Sequence, residues 1–543
     1  MTSVSQKREA LTGTGASTAA SQFDAIVLGA GPNGLVAAIV LARGGKRVLV
    51  LERGGAEDQS SLVEFAPGFR APLTYSEAGW VPPSVLRATG IAAPPIVSPT
   101  VSVSVARDGG FFSLPCDGAA AAGVIKESSS RDAARWPAFA ERLGKLTSFL
   151  GVLYELPPPD VGMASIGDLA SLIGVGRKFR ALGRSDMTEL LRVMPMSVQD
   201  LLDDELEDAT LKAAVGAGGV RDLRQGPRSG GTTFNLLHYL VGAPSGSVRA
   251  RGWWRDHPGA FIAAAETAAR AVGVTIRPNA PVERILIDDD AVSGVALESG
   301  EEISARIVVS TADPTRTLLG LIDPVWLDPD FVLAVQNIKY RGSTAIVHYA
   351  VDTLPSATGL DEQALASIVS LTPNLDVIER AYDAAKYGDV SPDPHVELNV
   401  PSLRWPSLAP AGKHVVVAHA RYVPREPNAG AWTRERAEAF GDVVTRVVSR
   451  ALPGFAERVR HRAVLTPADL EARFGATDGA MTHGELTLDQ ILFMRPVPGW
   501  GRHAMPVHGL YLGGWGAHPG PGVIGGAGLL AARAALASRT RTS

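Results

Sequence analysis

The stretch DAIVLGAGPNGLVAAIVLARGGKRVLVLER, residues 24–53, constrains this chain more than any other part of it. Asp24-Ala-Ile-Val-Leu-Gly29 reads as a short buried parallel strand bounded by glycine. A turn with Gly29, Gly31 and Gly34 follows, with Pro32 and Asn33 between the last two. An apolar helix comes next, then a second apolar strand ending on Glu52 and Arg53. Strand, glycine turn, helix, strand and terminal acid together have the length of one βαβ unit, about 30 residues.

Each part has a physical task. Gly29 permits the tight turn, and Gly31 lets backbone N–H groups approach a pyrophosphate with no Cβ in the way. Gly34 lets the helix pack close to the strand. The helix N-terminus offers unpaired donors and the positive end of its dipole to phosphates. Glu52 is placed to accept hydrogen bonds from a ribose diol. This unit reads as a dinucleotide site, but FAD and NAD share the ADP half, so it does not choose between them.

The segment GLYLGGWGAHPGPGVIGGAGLLAARAAL, residues 509–536, makes that choice. It reads as a strand, a loop crowded with glycine and proline, and an apolar helix. A second GxGxxG falls at Gly520, Gly522 and Gly525, but no strand and acidic residue follow it at the spacing a second dinucleotide unit needs. The better reading is a loop and helix N-terminus facing a flavin ring, with Gly514, Gly516, Gly522, Val523 and Ile524 as the contacts.

Taken together, these stretches resemble the phytoene desaturase (phytoene dehydrogenase-related) family of FAD-dependent enzymes with the amine-oxidase-like fold. Within that family the likeness is to the branch of pyridine nucleotide-disulfide oxidoreductase domain-containing protein 2. Besides the two segments above, it is carried by PGFR (67–70), MSVQDLLDDELEDATLKAAV (196–215) and QGPRSGGTTFNLLHYL (225–240). PVERILIDDDAVSGVALESGEEISARIVVSTADP (281–314) and HGELTLDQILFMRPVPGW (483–500) complete it. The resemblance implies FAD as cofactor, with Val282 near the adenine and Ala312-Asp313-Pro314 ending the strand that returns from an excursion.

It also implies an α/β fold: an FAD-binding Rossmann-like domain of the glutathione-reductase/amine-oxidase type, interleaved with a mixed α+β substrate domain. Residues 23–80, 250–320 and 481–543 are assigned to the FAD-binding domain, and 81–249 with 321–480 to the substrate or cap domain. Two departures stand out. The family places a Gly-Gly pair six or seven residues after the ribose-binding acid, where this chain has Asp58 and Gln59; its nearest pair is Gly54-Gly55. Where the family has a Gly-Gly-Met-Gly turn, this chain has GWWRDHPGAFI, with Trp253 and Trp254 adjacent.

The segment 80–250 reads as mostly helical, broken at 157–159 and 174–179. The insertion 321–480 reads as mixed, with strands at Thr344–Val351 and His414–Ala420 and a helix at Thr433–Arg450. Charged residues in both insertions are expected to be peripheral, leaving an apolar substrate tunnel. Histidine is the natural proton carrier near neutral pH, which makes His518, in the flavin-end loop, and His238, on an apolar helix, the candidate catalytic groups. His483 opens the 483–500 signature. Arg495 reads as a buttress, and Trp253 and Trp254 as core packing.

Composition narrows the remaining classes. A formal charge of -4 gives no basic surface for nucleic acid. Cys116 is the only cysteine, which excludes an intrachain disulfide, paired-thiol redox chemistry and a multi-cysteine metal site. Residues 1–22 lack the apolar core of a secretory signal and are expected to form a disordered tail. The prevalence of arginine over lysine, with abundant alanine, points to a GC-rich bacterial source. The chain therefore reads as a cytoplasmic flavoprotein that takes a hydride from a C–H bond of a small lipophilic, isoprenoid-like substrate. Oxygen, a quinone or another carrier reoxidises it, and a lipophilic substrate implies peripheral membrane contact. An amine or alcohol oxidase and a regulatory flavin-binding protein are the alternatives.

Overall fold

The computed structural model describes residues 22–55, 62–73, 77–158, 183–341 and 344–538. Four fully buried apolar residues, Ala25–Leu28, form the first strand, β1, at the centre of a five-stranded parallel sheet. The helix α1 (Pro32–Arg43) crosses to β2 (Val48–Leu51), which pairs with β1 in parallel register, Ala25 opposite Val48. The remaining strands come from far along the chain: β3 (Thr275–Arg277), β4 (Ile307–Ser310) and β5 (Leu510–Leu512). The order is β5-β4-β1-β2-β3. Both faces are covered, which is why β1 and β2 are apolar throughout and β4 and β5 nearly so, rather than alternating. The closing helix, α2 (Gly526–Ala537), lies against α1, and Gly528 permits the approach because a Cβ there would meet the Asn33 carbonyl at 1.9 Å.

Between β3 and β4 the chain makes an antiparallel excursion of Val282–Asp288, Ala291–Leu297 and Glu302–Ser304. That matches the hairpin reading of 281–314, with the buried strand Ile307–Ser310 at its end. A separate seven-stranded mixed sheet contains Thr344–Val351, His414–Arg421 and Val459–Leu465, together with a hairpin from much earlier in the chain, Val101–Arg107 and Gly110–Pro115. The helix read at 433–450 spans Arg434–Ala451, with Thr433 as its cap: the side-chain oxygen accepts from the Arg436 N–H.

The described part of 80–250 is mostly helical as read, and the hairpin is the addition that the reading lacked. Residues 101–107 alternate serine, alanine and valine, and the turn carries Gly109 and Gly110 with φ of 80° and 146°. A period of two and a glycine turn outweigh the helical character of the residues that follow. The break at 174–179, residue 159, and Asp58 and Gln59 lie outside the described residues.

Candidate functional site

At the C-terminal edge of β1 and β2 the chain leaves a cavity of about 470 Å³, where open α/β sheets place their ligands. The glycine turn forms one wall. Gly29 takes φ +98°, and a side chain there would meet the Thr311 hydroxyl at 2.3 Å. A Cβ on Gly34 would fall 1.9 Å from the Gly29 carbonyl oxygen, so helix and strand are in contact through that missing side chain. Gly31 is different. No protein atom lies within 4 Å of where its Cβ would be, so the space in front of it is kept open by the fold.

Gly31 is also the N-cap of α1, with no side-chain cap and Pro32 in the first turn, so amide donors there are left for a ligand. Glu52 ends β2 beside the turn; its carboxylate accepts from the Ala30 N–H at 2.7 Å and the Gly54 N–H at 2.9 Å. An open cradle over an uncapped helix end, next to a carboxylate at the strand terminus, fits the ADP half of FAD. The residues suited to hold it are Gly29, Gly31, Pro32, Glu52, Arg53 and Val282, all of which line the cavity. Gly54, the nearest glycine to the family's Gly-Gly position, lines it as well.

Other residues read from the sequence as cofactor contacts have packing roles instead. Gly34 packs helix on strand. The Asn33 side-chain oxygen accepts from the Gly528 N–H at 3.4 Å and joins the two terminal helices. Gly514 and Gly516 abut Thr311 and Pro314, where a Cβ would fall 2.3 and 2.2 Å from the nearest atoms. Val523 is buried in the core of the helical layer. From the flavin-end loop, Gly522 and Ile524 do reach the cavity, with Trp515, which the sequence did not single out.

The two candidate catalytic histidines are corrected. Neither lines the cavity. His238 is buried with its Nδ1 2.7 Å from the Tyr154 hydroxyl and its Nε2 2.7 Å from the Pro521 carbonyl oxygen. Nε2 donates to that carbonyl and Nδ1 accepts from Tyr154. His518 is buried with Nε2 donating to the Leu156 carbonyl at 3.1 Å. Burial pushes both histidines down to about 3. They are neutral packing groups, because a loop's sequence does not say on which side its ring is buried.

Acid stability depends in part on these two rings, with His348, His395, His419 and His503 held down by burial as well. In the unfolded chain both titrate near 6.5, and in the folded protein near 3. Their contribution is complete above the unfolded value and is lost as pH falls toward the folded one. Unfolding at pH 5 is expected to take up at least two more protons than unfolding at pH 8. Unfolding enthalpies in buffers of differing ionisation enthalpy measure that number; an equal uptake at the two pH values contradicts the buried neutral state.

Arg495 behaves as read. It is almost wholly buried, and its guanidinium donates to the carbonyls of Trp515, Thr482 and Gly484 at 2.8, 2.8 and 3.1 Å. Further contacts reach the carbonyls of Glu485, Gln490 and His483, each at 3.3 Å. Trp254 stacks on Phe261 at 5.7 Å and also forms part of the cavity wall. Trp253 lies under the Arg404 guanidinium at 4.3 Å.

The expectation of peripheral charge is overturned at the other end of the cavity. Glu77, Arg221, Asp222 and Arg251 line it, with Tyr239 and His419. Arg221 pairs with Glu77 at 2.7 Å, and Asp222 with Arg421 at 2.7 Å. Arg421 and Arg249 continue the network to Glu397 at 3.1 and 2.5 Å. Burial favours the neutral acid at Glu77, but Arg221 and Arg251 outweigh it and hold the carboxyl below its usual range. Asp222 has φ +56°, an uncommon conformation for a residue other than glycine. These residues come from four separate stretches of chain, so no local pattern could have announced them.

Glu52→Ala is expected to lower FAD affinity roughly 10- to 150-fold, since hydrogen bonds to a charged acceptor are worth ~1.5–3 kcal/mol. Titration of apoprotein by flavin fluorescence measures it. A variant that keeps its full flavin through extensive dialysis contradicts the role.

The flavin containing amine oxidoreductase model matches residues 235–536. Pyridine nucleotide-disulfide oxidoreductase domain-containing protein 2 from Rattus norvegicus is 31% identical over 542 residues, covering 94% of this chain and 93% of that protein. The mouse protein is equally similar, so these relatives give the bacterial source no support. The neurosporene-forming phytoene desaturase of Cereibacter sphaeroides is 28% identical over 52% of this chain and 53% of its own length. Cyclohexylamine oxidase from Brevibacterium oxydans shares the fold, with a TM-score of 0.55 at 15% identity over 95% of this chain and 98% of that one. With an FAD cradle at the edge of a parallel sheet, and a family match over more than half its length, this chain belongs to the flavin containing amine oxidoreductase family and is an FAD-dependent oxidoreductase.

Proposed function

We propose that this oxidoreductase is a dehydrogenase of the desaturase type, oxidising a C–H bond of a lipophilic, isoprenoid-like substrate. The observation that carries the reading is continuity. The dinucleotide cradle opens, within one cavity, onto an apolar wall that includes Leu73, Trp254, Phe261, Ile262, Ile346 and Ile524. A wall of that kind binds hydrocarbon by excluding water and holds it by shape. When bound, FAD supplies the two-electron acceptor for the substrate hydride.

The chain's own groups favour positioning over acid–base work. Burial holds the lining histidines His419 and His483 below the usual histidine range, His419 at about 3, so both are poor proton acceptors. The proton lost from the adjacent carbon goes to a base or to solvent. Oxygen, a quinone or another carrier then takes the electrons. The relatedness to a phytoene desaturase supports this reading. No helix among the described residues is long and apolar enough to cross a membrane, so delivery of a lipid would be by peripheral, reversible contact.

Amine oxidation is the second reading, supported by the fold shared with cyclohexylamine oxidase and by two carboxylates in the cavity wall. It is disfavoured because Glu77 and Asp222 each already pair with arginine, leaving neither free to hold an ammonium group. Anaerobic holoprotein mixed with an isoprenoid panel and an amine and alcohol panel separates the cases by flavin bleaching. Bleaching by isoprenoids is expected. Bleaching by amines or alcohols alone overturns the proposal, and no bleaching by either panel makes the protein a regulatory flavin binder.

A further inference from the structure

The buried network at the far end of the cavity does not balance. Four guanidinium groups, Arg221, Arg249, Arg251 and Arg421, share three carboxylates, Glu77, Asp222 and Glu397. Arg221, Arg249 and Arg421 each have a carboxylate within 3.1 Å. Arg251 enters no ion pair among the described residues; Glu77, already paired with Arg221, attracts its charge and accepts from its backbone N–H at 3.3 Å. Its Nη1 donates to the Gly522 carbonyl at a long 3.3 Å, and its Nε, fully enclosed, has no partner. Only 6% of Arg251 is exposed, yet the residue lines the cavity.

An unpaired buried guanidinium is costly, because desolvation of the charge is offset only by an opposing charge with good hydrogen bonds. Two neighbours fix its place. The Tyr239 ring is close to both Arg221 and Arg251, whose guanidinium carbons are 4.6 and 5.8 Å from its centroid. The tyrosine hydroxyl is tied to Asp222 at 3.2 Å. Gly522, which approaches Arg251 from the flavin-end loop, has φ +73°, and a Cβ there would fall 3.0 Å from Nη2. Tyr239 and Gly522 thus both bound the guanidinium where it lines the cavity. Burial, with Arg221 adding to it, outweighs the attraction of Glu77 and lowers Arg251 to about 10. At neutral pH it remains protonated.

We propose that Arg251 is the anchor of an anion subsite, and that the lipophilic substrate carries a carboxylate which docks there while its hydrocarbon lies along the apolar wall. This substrate class, a long-chain or prenyl carboxylic acid, rests on the reading of the cavity as a lipophilic site. Planar, two-oxygen anions suit a guanidinium fork better than a hydroxyl or a hydrocarbon end.

The test titrates oxidised holoprotein with straight-chain carboxylates and the alcohols of equal length, from short to long, by calorimetry and by perturbation of the flavin spectrum. A long carboxylate is expected to bind at least tenfold tighter than its alcohol. Arg251→Met should remove that preference while leaving alcohol binding in place, and Arg251→Lys should keep part of it. Equal affinity of acid and alcohol in the wild type overturns the subsite whether or not either variant folds. A preference that survives in Arg251→Met does the same, as does an Arg251→Met protein whose only change is a shifted flavin midpoint potential, which would make the flavin itself the anion served. Short and long carboxylates binding equally well would leave the anion subsite standing and overturn the lipophilic reading. No binding by any probe overturns both.

Discussion

Gly34→Ala is expected to destroy the folded protein, and Gly31→Ala to spare the fold and remove the cofactor. The two glycines stand three residues apart in one turn, and their surroundings are opposite. At Gly34 the added methyl would lie 1.9 Å from a backbone carbonyl and 3.4 Å from Val27 Cγ1, with no flexible side chain to give way. Helix α1 would have to lift from β1, opening a core in which nine residues of that helix are buried. Overpacking costs ~1–3 kcal/mol in ordinary sites, and a clash between main chains exceeds that range.

At Gly31 the methyl meets no protein atom, and φ of -68° with ψ of 177° is open to alanine. Its apoprotein should be as stable as wild type or gain ~0.4–1 kcal/mol from a stiffer unfolded chain. The methyl does occupy the space of a pyrophosphate, so FAD affinity should fall about 100-fold, equivalent to ~2.7 kcal/mol. Denaturant midpoints of the apoproteins and flavin titrations separate the outcomes. A soluble, flavin-loaded Gly34→Ala protein, or a Gly31→Ala protein with wild-type affinity, contradicts the assignment.

Arg495→Met is expected to be the most damaging substitution outside the glycine turn. The side chain is a hub: six carbonyl oxygens, from Thr482 to Trp515, converge on one guanidinium. Methionine would fill part of the volume and leave those acceptors buried without donors, at ~1–3 kcal/mol for each that water does not reach. Lysine carries three donors on a flexible stem and cannot replace the planar fork, so Arg495→Lys should fail as well. Thr482, His483 and Trp515, three of the residues whose carbonyls it holds, also line the cavity. Loss of flavin is therefore expected to accompany loss of stability. Chemical denaturation with flavin release as a second signal measures both; a Met variant with an unchanged midpoint would show that the carbonyls find other donors.

The cofactor half of the site was legible in sequence because its parts are contiguous. Strand, turn, helix and Glu52 occupy one βαβ unit, and glycine positions announce backbone geometry directly. Val282 and the excursion around it were legible through the family pattern and their alternation. The substrate half was not. Glu77, Arg221, Asp222 and Arg251 sit in unremarkable local sequence, and only the folded chain sets them side by side. His518 and His238 were misjudged for a related reason. Position along a loop or helix gave their neighbourhood, but the partners that neutralise them, Leu156, Tyr154 and Pro521, are far away in sequence.

The parallel sheet that carries the FAD cradle also sets the order of events during synthesis. Its edge strand β5 and the closing helix α2 are made after all the other described elements, and Gly528 meets Asn33 across 495 positions of chain. Until those segments are made, β4 has an open edge and the part of α1 that packs on α2 has no cover. The nascent chain must therefore wait with hydrophobic surface exposed, which is the state that chaperones engage. The cradle residues Gly29, Gly31, Glu52 and Val282 are made long before Gly522 and Ile524, which line the same cavity, so the complete FAD site exists only once the flavin-end loop has been added.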